Sequence, residues 1–246
     1  MITGRKQVLL FSQGEIASLS ADAYKEVLAE NKLSENARYI AQVREVGLNL
    51  TGAVERYIEK QQIKGALEGI SWTFDVIQSD QINAFCLPNG SIVFYEGIMK
   101  LMETSDYIAV VMGHEIAHAV AKHGNERMSQ QTVTNAVGEM ASALLGTARN
   151  QALFNVAFGL GSQFGVLLPY SRQHEYEADR LGLIFMAMAG YDINVAPVLW
   201  EKMSGGSSGG SDFFSTHPSD AKRIENLNKV MVEARTYLPA GQSWNF

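Results

Sequence analysis

Residues 105–122 read SDYIAVVMGHEIAHAVAK, an apolar frame holding His114, Glu115 and His118 at its centre. No other stretch restricts the chain as much. Residues four apart on a helix lie one above the other on one face, so His114 and His118 can present two imidazole nitrogens to a single ion. Glu115 projects beside that ion, where a carboxylate can take a proton from water, which makes it the candidate general base. The spacing is the H-E-x-x-H zinc signature. Thr104 or Ser105 can cap the first free N–H groups, and Gly124 stands just past the expected last turn. The alternative is a buried helix that carries two satisfied core histidines.

A chain of 246 residues can bury a substantial core. We read it as one domain, 1–246: a helical scaffold over 1–65, a zinc-site core over 66–203 with a lid insert at 125–170, and a flexible loop with a C-terminal helix over 204–246. Hydrophobic residues at 46% and charged residues at 19% describe an ordinary globular protein. The net charge of −6 leaves no basic footprint, so nucleic acid is excluded as a partner. Cys86 is the only cysteine, which rules out an intrachain disulfide and predicts a buried, inert thiol. The opening MITGRK runs into polar sequence without the apolar core of a signal peptide.

Taken in order, residues 16–64 predict two helices, the second amphipathic through Ile40, Val43, Val46, Leu50, Val54 and Tyr57. Strand-like runs follow at 72–78, 82–87 and 91–95, the last two joined by Pro88-Asn89-Gly90. They predict a small antiparallel sheet ahead of the H-E-x-x-H helix, and the fold class is α+β, mainly α. Residues 125–168 are apolar and helical in pattern, but their most apolar part, 153–168, falls short of the ~20 residues of a membrane span. We expect a lid there, with membrane-surface contact as an open alternative. Further helices are expected at 172–189, closed by Gly190, at 194–203 and at 219–237. The Gly/Ser run 204–211 reads as a surface loop or a mobile loop beside the site.

A catalytic zinc keeps three protein ligands. Glu175 and Asp179 are four apart and share a face, whereas Glu177 points away. Glu175 can bind the metal while Asp179 accepts an N–H from a liganding histidine. The competing reading is an exposed acidic helix start favoured by the dipole. Arg223 either stabilises an oxyanion or lies on a helix surface. His123 reads as a cationic residue at a helix C-terminus and His174 as facing elsewhere; both are left out of the site with Cys86. His217 lies between the Gly/Ser run and Pro218, which disfavours an α conformation at His217, and a neutral imidazole is a good zinc ligand.

Asn83-Ala84-Phe85, Pro88-Asn89-Gly90, Gly97, the H-E-x-x-H helix, Glu175-Tyr-Glu-Ala-Asp179, Arg180-Leu-Gly182, Thr216-His217-Pro218 and Arg223 together resemble the gluzincin peptidases of the CaaX prenyl protease, HtpX and BepA type. The chain is most similar to the soluble bacterial periplasmic members. The resemblance implies a zincin-like metalloprotease domain with one Zn2+ held by His114, His118 and Glu175, and an endopeptidase acting through Glu115 on misfolded or envelope proteins. It implies that polypeptide substrates lie as an extended strand along Asn83, Ala84 and Phe85, and that His217 occupies the fourth metal position at rest. The TGRKQ start resembles that of mature lipoproteins and implies a periplasmic, lipid-anchored parent. The chain departs from the family in lacking the membrane spans of the CaaX and HtpX branches and in having Cys86 where a small apolar residue is more usual. A zinc-containing chaperone or binding protein with a closed peptidase site is the alternative function.

Overall fold

A computed structural model describes residues 2–138, 150, 171–205, 212–217 and 221–240. The chain starts with a strap over residues 2–11, then α1 (Gln13–Glu30) and α2 (Ala37–Lys60). Ser12 and Glu15 form a reciprocal capping box at the start of α1, and the Asn36 side chain accepts the first free N–H groups of α2. Three short strands follow, β1 (Thr73–Ile77), β2 (Ala84–Cys86) and β3 (Ser91–Tyr95). After the single turn α3 (Glu96–Met99) come α4 (Ser105–Val120) and α5 (His123–Gly138). Beyond residue 170 lie α6 (Arg172–Ala189), α7 (Val195–Gly205), α8 (Asp212–Thr216), α9 (Ala221–Ala234) and a 3-10 turn, Arg235–Tyr237.

The sheet is mixed, not wholly antiparallel as expected. β2 and β3 form the predicted hairpin, with Gly90 at φ 90 in its turn, but β1 joins the far side of β3 in parallel register, Thr73 opposite Ser91. The order is β1-β3-β2, so the hairpin itself serves as the crossover and β2 is left at an edge. Sequential strands favour a meander reading. What decides the register is tertiary: Ser71 and Thr73 donate to the backbone carbonyls of Asn89 and Gly90, which anchors β1 beside the turn.

The main core gathers residues from α2, the sheet, α4, α6, α7 and α9 around α4. Every residue of α4 from Ile108 to Val120 is buried. Its closest neighbour is α6, and the contact is made by glycine. A Cβ on Gly113 would come within 3.1 Å of the Gly182 carbonyl oxygen, and one on Gly182 within 3.0 Å of the Gly113 carbonyl carbon and the His114 nitrogen. Backbone on both sides lets the helices meet at a separation no larger residue permits.

Most of the expected lid, the apolar stretch 153–168, the Gly/Ser run 206–211 and Pro218 lie outside the described residues. The start of the lid region is the helix α5. No helix among the described residues is long and apolar enough to cross a membrane.

The α4–α6 contact makes a prediction. Gly182→Ala has only backbone to push against, so it should lower stability by about 1–3 kcal/mol through overpacking, read as a lower urea midpoint at unchanged slope. An unchanged midpoint would show that the two helices yield at no cost.

Candidate metal centre

α4 delivers His114, Glu115 and His118 because Thr104 caps its start, accepting from the Tyr107 N–H, and the next turns run unbroken through the core. α6 begins at Ser171, whose side chain accepts from the His174 N–H, and this places Glu175 and Asp179 in its first turns against α4. His217 ends the short α8, its N–H bonded to the Phe213 carbonyl. Arg223 comes from α9. All of these side chains are buried, Arg223 to 1% exposure and His217 to 3%.

His114, His118, Glu175 and His217 each turn one donor atom toward a common point, all within 4.8 Å of one another. His114 Nε2 stands 3.1 Å from His118 Nε2 and 3.2 Å from His217 Nδ1. Glu175 Oε1 lies 3.4 Å from His118 Nε2 and 3.2 Å from His217 Nδ1, and Glu175 Oε2 lies 3.5 Å from His114 Nε2. Bonds of about 2.0–2.1 Å to a tetrahedral zinc imply donor separations of about 3.3 Å. The four donors therefore have the size and chemistry of a zinc tetrahedron.

Charge leads to the same conclusion. Three buried carboxylates, Glu115, Glu175 and Asp179, face one buried guanidinium, so with neutral histidines the pocket carries an excess negative charge. A proton on His114 relieves that excess in the absence of metal, and a divalent cation would relieve it in its place. Burial and Arg223 press the His114 imidazole down, yet Asp179 and Glu175 overcome both and lift it to about 9. Burial dominates at His118 and pushes it well below the usual histidine range. Glu175 is held well below the carboxylate range: burial opposes this, but Arg223 and His217 prevail. Glu115 is shifted the other way, raised chiefly by burial against the pull of His217 and His114. Its Oε1 lies 3.3 Å from His217 Nε2.

Asp179 Oδ1 lies 2.9 Å from His114 Nδ1, so the carboxylate accepts the ring N–H and leaves the Nε2 lone pair aimed at the cluster. Arg223 does not lie on a helix surface. It is buried, and its Nε and Nη2 donate to Asp179 at 2.7 and 2.8 Å while Nη1 stands 2.8 Å from Glu175 Oε2. Its guanidinium also lies over the Trp200 ring at 4.6 Å. In this arrangement Arg223 clamps two carboxylates.

Of the expected substrate strand, Ala84 is buried while Asn83 and Phe85 are half-buried. The Phe85 side chain packs on the far face of the sheet beside Tyr24 and Tyr95, so only its backbone is available on the edge of β2. Cys86 is the buried thiol expected, its pKa pushed well up by burial.

The sequence reading missed His123 and Glu177. α4 does not stop at Gly124: Lys122 takes a left-handed φ of 59, and His123 opens α5. That reversal folds His123 under the site, with Nδ1 3.0 Å from His118 Nδ1 and Nε2 2.9 Å from Glu177 Oε2. His123 is not a cation at a helix end; it is wholly buried, and burial lowers its pKa. Nothing in the sequence marks a lysine for a left-handed turn. Glu177 does point away from Glu175, as its spacing requires, but toward His123. His174 stacks on His123 at 4.5 Å and reaches Glu126.

The fold and this donor set define a zincin-type metallopeptidase site. The chain belongs to Peptidase family M48, whose profile matches residues 48–231. It is 34% identical over 220 residues to mitochondrial metalloendopeptidase OMA1 of Schizosaccharomyces pombe, covering 88% of this chain and 61% of that protein. Human mitochondrial metalloendopeptidase OMA1 is 30% identical over 246 residues, 95% of this chain and 45% of that one. The β-barrel assembly-enhancing protease of Escherichia coli K12 is 30% identical over 173 residues, 65% of this chain and 35% of that one. The chain thus spans between about a third and three fifths of these relatives' length. The cofactor is zinc, for which the donor cluster is suited.

Removing the clamp should be costly. Arg223→Met leaves Asp179 and Glu175 buried beside each other without their counter-charge, a loss of about 3–5 kcal/mol, measurable by urea unfolding of the metal-free protein. Loss below 1 kcal/mol would mean that the carboxylates do not depend on it.

Proposed function

We propose that this chain is a zinc-dependent endopeptidase held closed at rest by its own His217. The observation that carries the reading is Glu115, a buried carboxylate of raised pKa beside a three-residue donor set, His114, His118 and Glu175, of catalytic composition. Relatives named metalloendopeptidases support it.

Zinc, when bound, supplies a Lewis acid for the scissile carbonyl and lowers the pKa of water beside it. Glu115 takes the proton of the attacking water and hands it to the leaving amine, and its raised pKa suits a group that must do both near neutral pH. His114, His118 and Glu175 would hold the metal, and Asp179 fixes the His114 tautomer. Arg223 acts on Asp179 and Glu175, so its role is to keep them ionised and in place.

The closed state is supported by the reach of one segment into two places. His217 Nδ1 takes the fourth corner of the donor cluster while its Nε2 faces Glu115. Phe213, stacked between Trp200 and His217, donates its N–H at 3.1 Å to the Ile82 carbonyl at the start of the β2 edge. A substrate added as a strand beside Asn83, Ala84 and Phe85 needs that same edge. Binding through backbone favours unfolded polypeptides over one defined sequence, which fits misfolded or envelope proteins as substrates. The bacterial relative named for β-barrel assembly supports an envelope setting, whereas the mitochondrial relatives carry no support for a periplasmic, lipid-anchored parent. That placement is kept as a proposal, as is membrane contact through residues 125–168 or an anchor. The closure at His217 also suits a zinc-containing binding protein, but such a protein has no use for Glu115.

Two variants test these points. Glu115→Gln should retain one zinc per chain yet cleave an unfolded protein ~10²–10⁴-fold more slowly; full activity ends the peptidase reading. His217→Ala should raise cleavage. A fall in rate would make His217 a donor to the transition state, and no cleavage by either wild type or His217→Ala would favour the binding protein.

A further inference from the structure

The metal cluster is supported from a part of the chain more than a hundred residues away. Arg5, in the strap ahead of α1, forks between two carboxylates. Its Nε and Nη2 donate to Glu177 at 2.5 and 3.0 Å, and its Nη1 and Nη2 donate to Glu126 at 2.6 and 2.7 Å. Gln7 adds a second tie, donating from Nε2 to Glu126 and to the Ala121 carbonyl, both at 2.8 Å. The strap therefore bridges the end of α4, the start of α5 and the first turns of α6.

The order of protons along this path is dictated by chemistry. His118 turns Nε2 to the donor cluster, so its ring hydrogen belongs on Nδ1. The 3.0 Å between His118 Nδ1 and His123 Nδ1 has room for one hydrogen, which His118 donates and His123 accepts. His123 then carries its own hydrogen on Nε2 and donates it to Glu177 at 2.9 Å. Glu177 must accept, and the fork of Arg5 holds its carboxylate turned toward His123. His114 has the direct carboxylate Asp179; His118 has a longer support that ends at Arg5.

We infer that Arg5 is a positioning residue for the metal site, fixing the tautomer and ring orientation of His118 through Glu177 and His123. The inference rests on the reading of His118 as a metal ligand. Losing an outer partner of a ligating histidine typically costs 10–100-fold in metal affinity, and Arg5, two side chains removed, belongs at the low end.

The test is zinc affinity of the whole chain, measured by competition with a chromophoric chelator at fixed pH, with the d–d spectrum of the Co2+-loaded protein beside it. Arg5→Met should weaken zinc about tenfold and shift the Co2+ bands. Arg5→Lys, which keeps the charge but not the fork, should fall between. Arg180→Met, which removes a cation from the same helix as Glu177 and breaks its ion pair with Glu233 on α9 without touching the His118–His123–Glu177 path, should leave both readouts unchanged. Arg5→Met combined with His123→Leu should bind zinc no more weakly than His123→Leu alone, since both act on one path. Affinity of Arg5→Met within twofold of Arg180→Met overturns the inference, as does a double variant whose loss is the product of the two. If His123→Leu does not fold, the comparison of Arg5→Met with Arg180→Met decides alone. His118→Ala separates the levels: if it binds zinc as tightly as wild type the site reading itself fails, and if it loses zinc while Arg5→Met does not, only this inference fails.

Discussion

The backbone contact between Gly113 and Gly182 is what the rest of the site depends on. Each glycine sits immediately beside a functional residue or within a turn of one, His114 on α4 and Asp179 on α6. Donor atoms from the two helices reach separations of 3.4 and 3.5 Å only if the helix backbones nearly touch. Two larger residues at the crossing would move Glu175 and Asp179 away from both histidines together. The surrounding core holds this crossing from every side, with α2 and the sheet on one flank and α7 and α9 on the other.

Electrostatics then restricts what the crossing can hold. Burying three carboxylates and three imidazoles is costly unless each is paired. Arg223 offsets Asp179 and Glu175, the cation of the site offsets the remainder, and Glu115 is left as the carboxylate with the weakest hold on its charge. The residue best placed to accept a proton is therefore the one the environment leaves least stabilised as an anion, which links burial directly to the proposed chemistry.

Much of this was legible in the sequence because it is local. The four-residue spacings His114–His118 and Glu175–Asp179 each specify a shared helix face, the second of two helices expected over 16–64 follows from its apolar stripe, and the helix at 172–189 from the Gly190 that closes it. What was not legible depends on distance in the chain or on an unusual backbone. The parallel pairing of β1 with β3 is settled by contacts of Ser71 and Thr73 with a turn that lies beyond β2. His123 escaped because its position follows from a left-handed Lys122, a conformation for which lysine has no preference. Arg223 reads from sequence as either an oxyanion donor or a helix-surface residue, and only the packing of α9 on α6 brings it onto Asp179 and Glu175. The Gly113–Gly182 contact pairs two positions whose partnership no local pattern announces.

The central claim is that three imidazoles and one carboxylate close on a single zinc in the resting protein. X-ray absorption at the zinc edge measures it directly. The account predicts four nitrogen or oxygen ligands at about 2.0–2.1 Å with the multiple scattering of three imidazoles. A first shell with only two imidazoles would contradict the closed site, and a sulfur ligand or a six-coordinate oxygen shell would contradict the site itself.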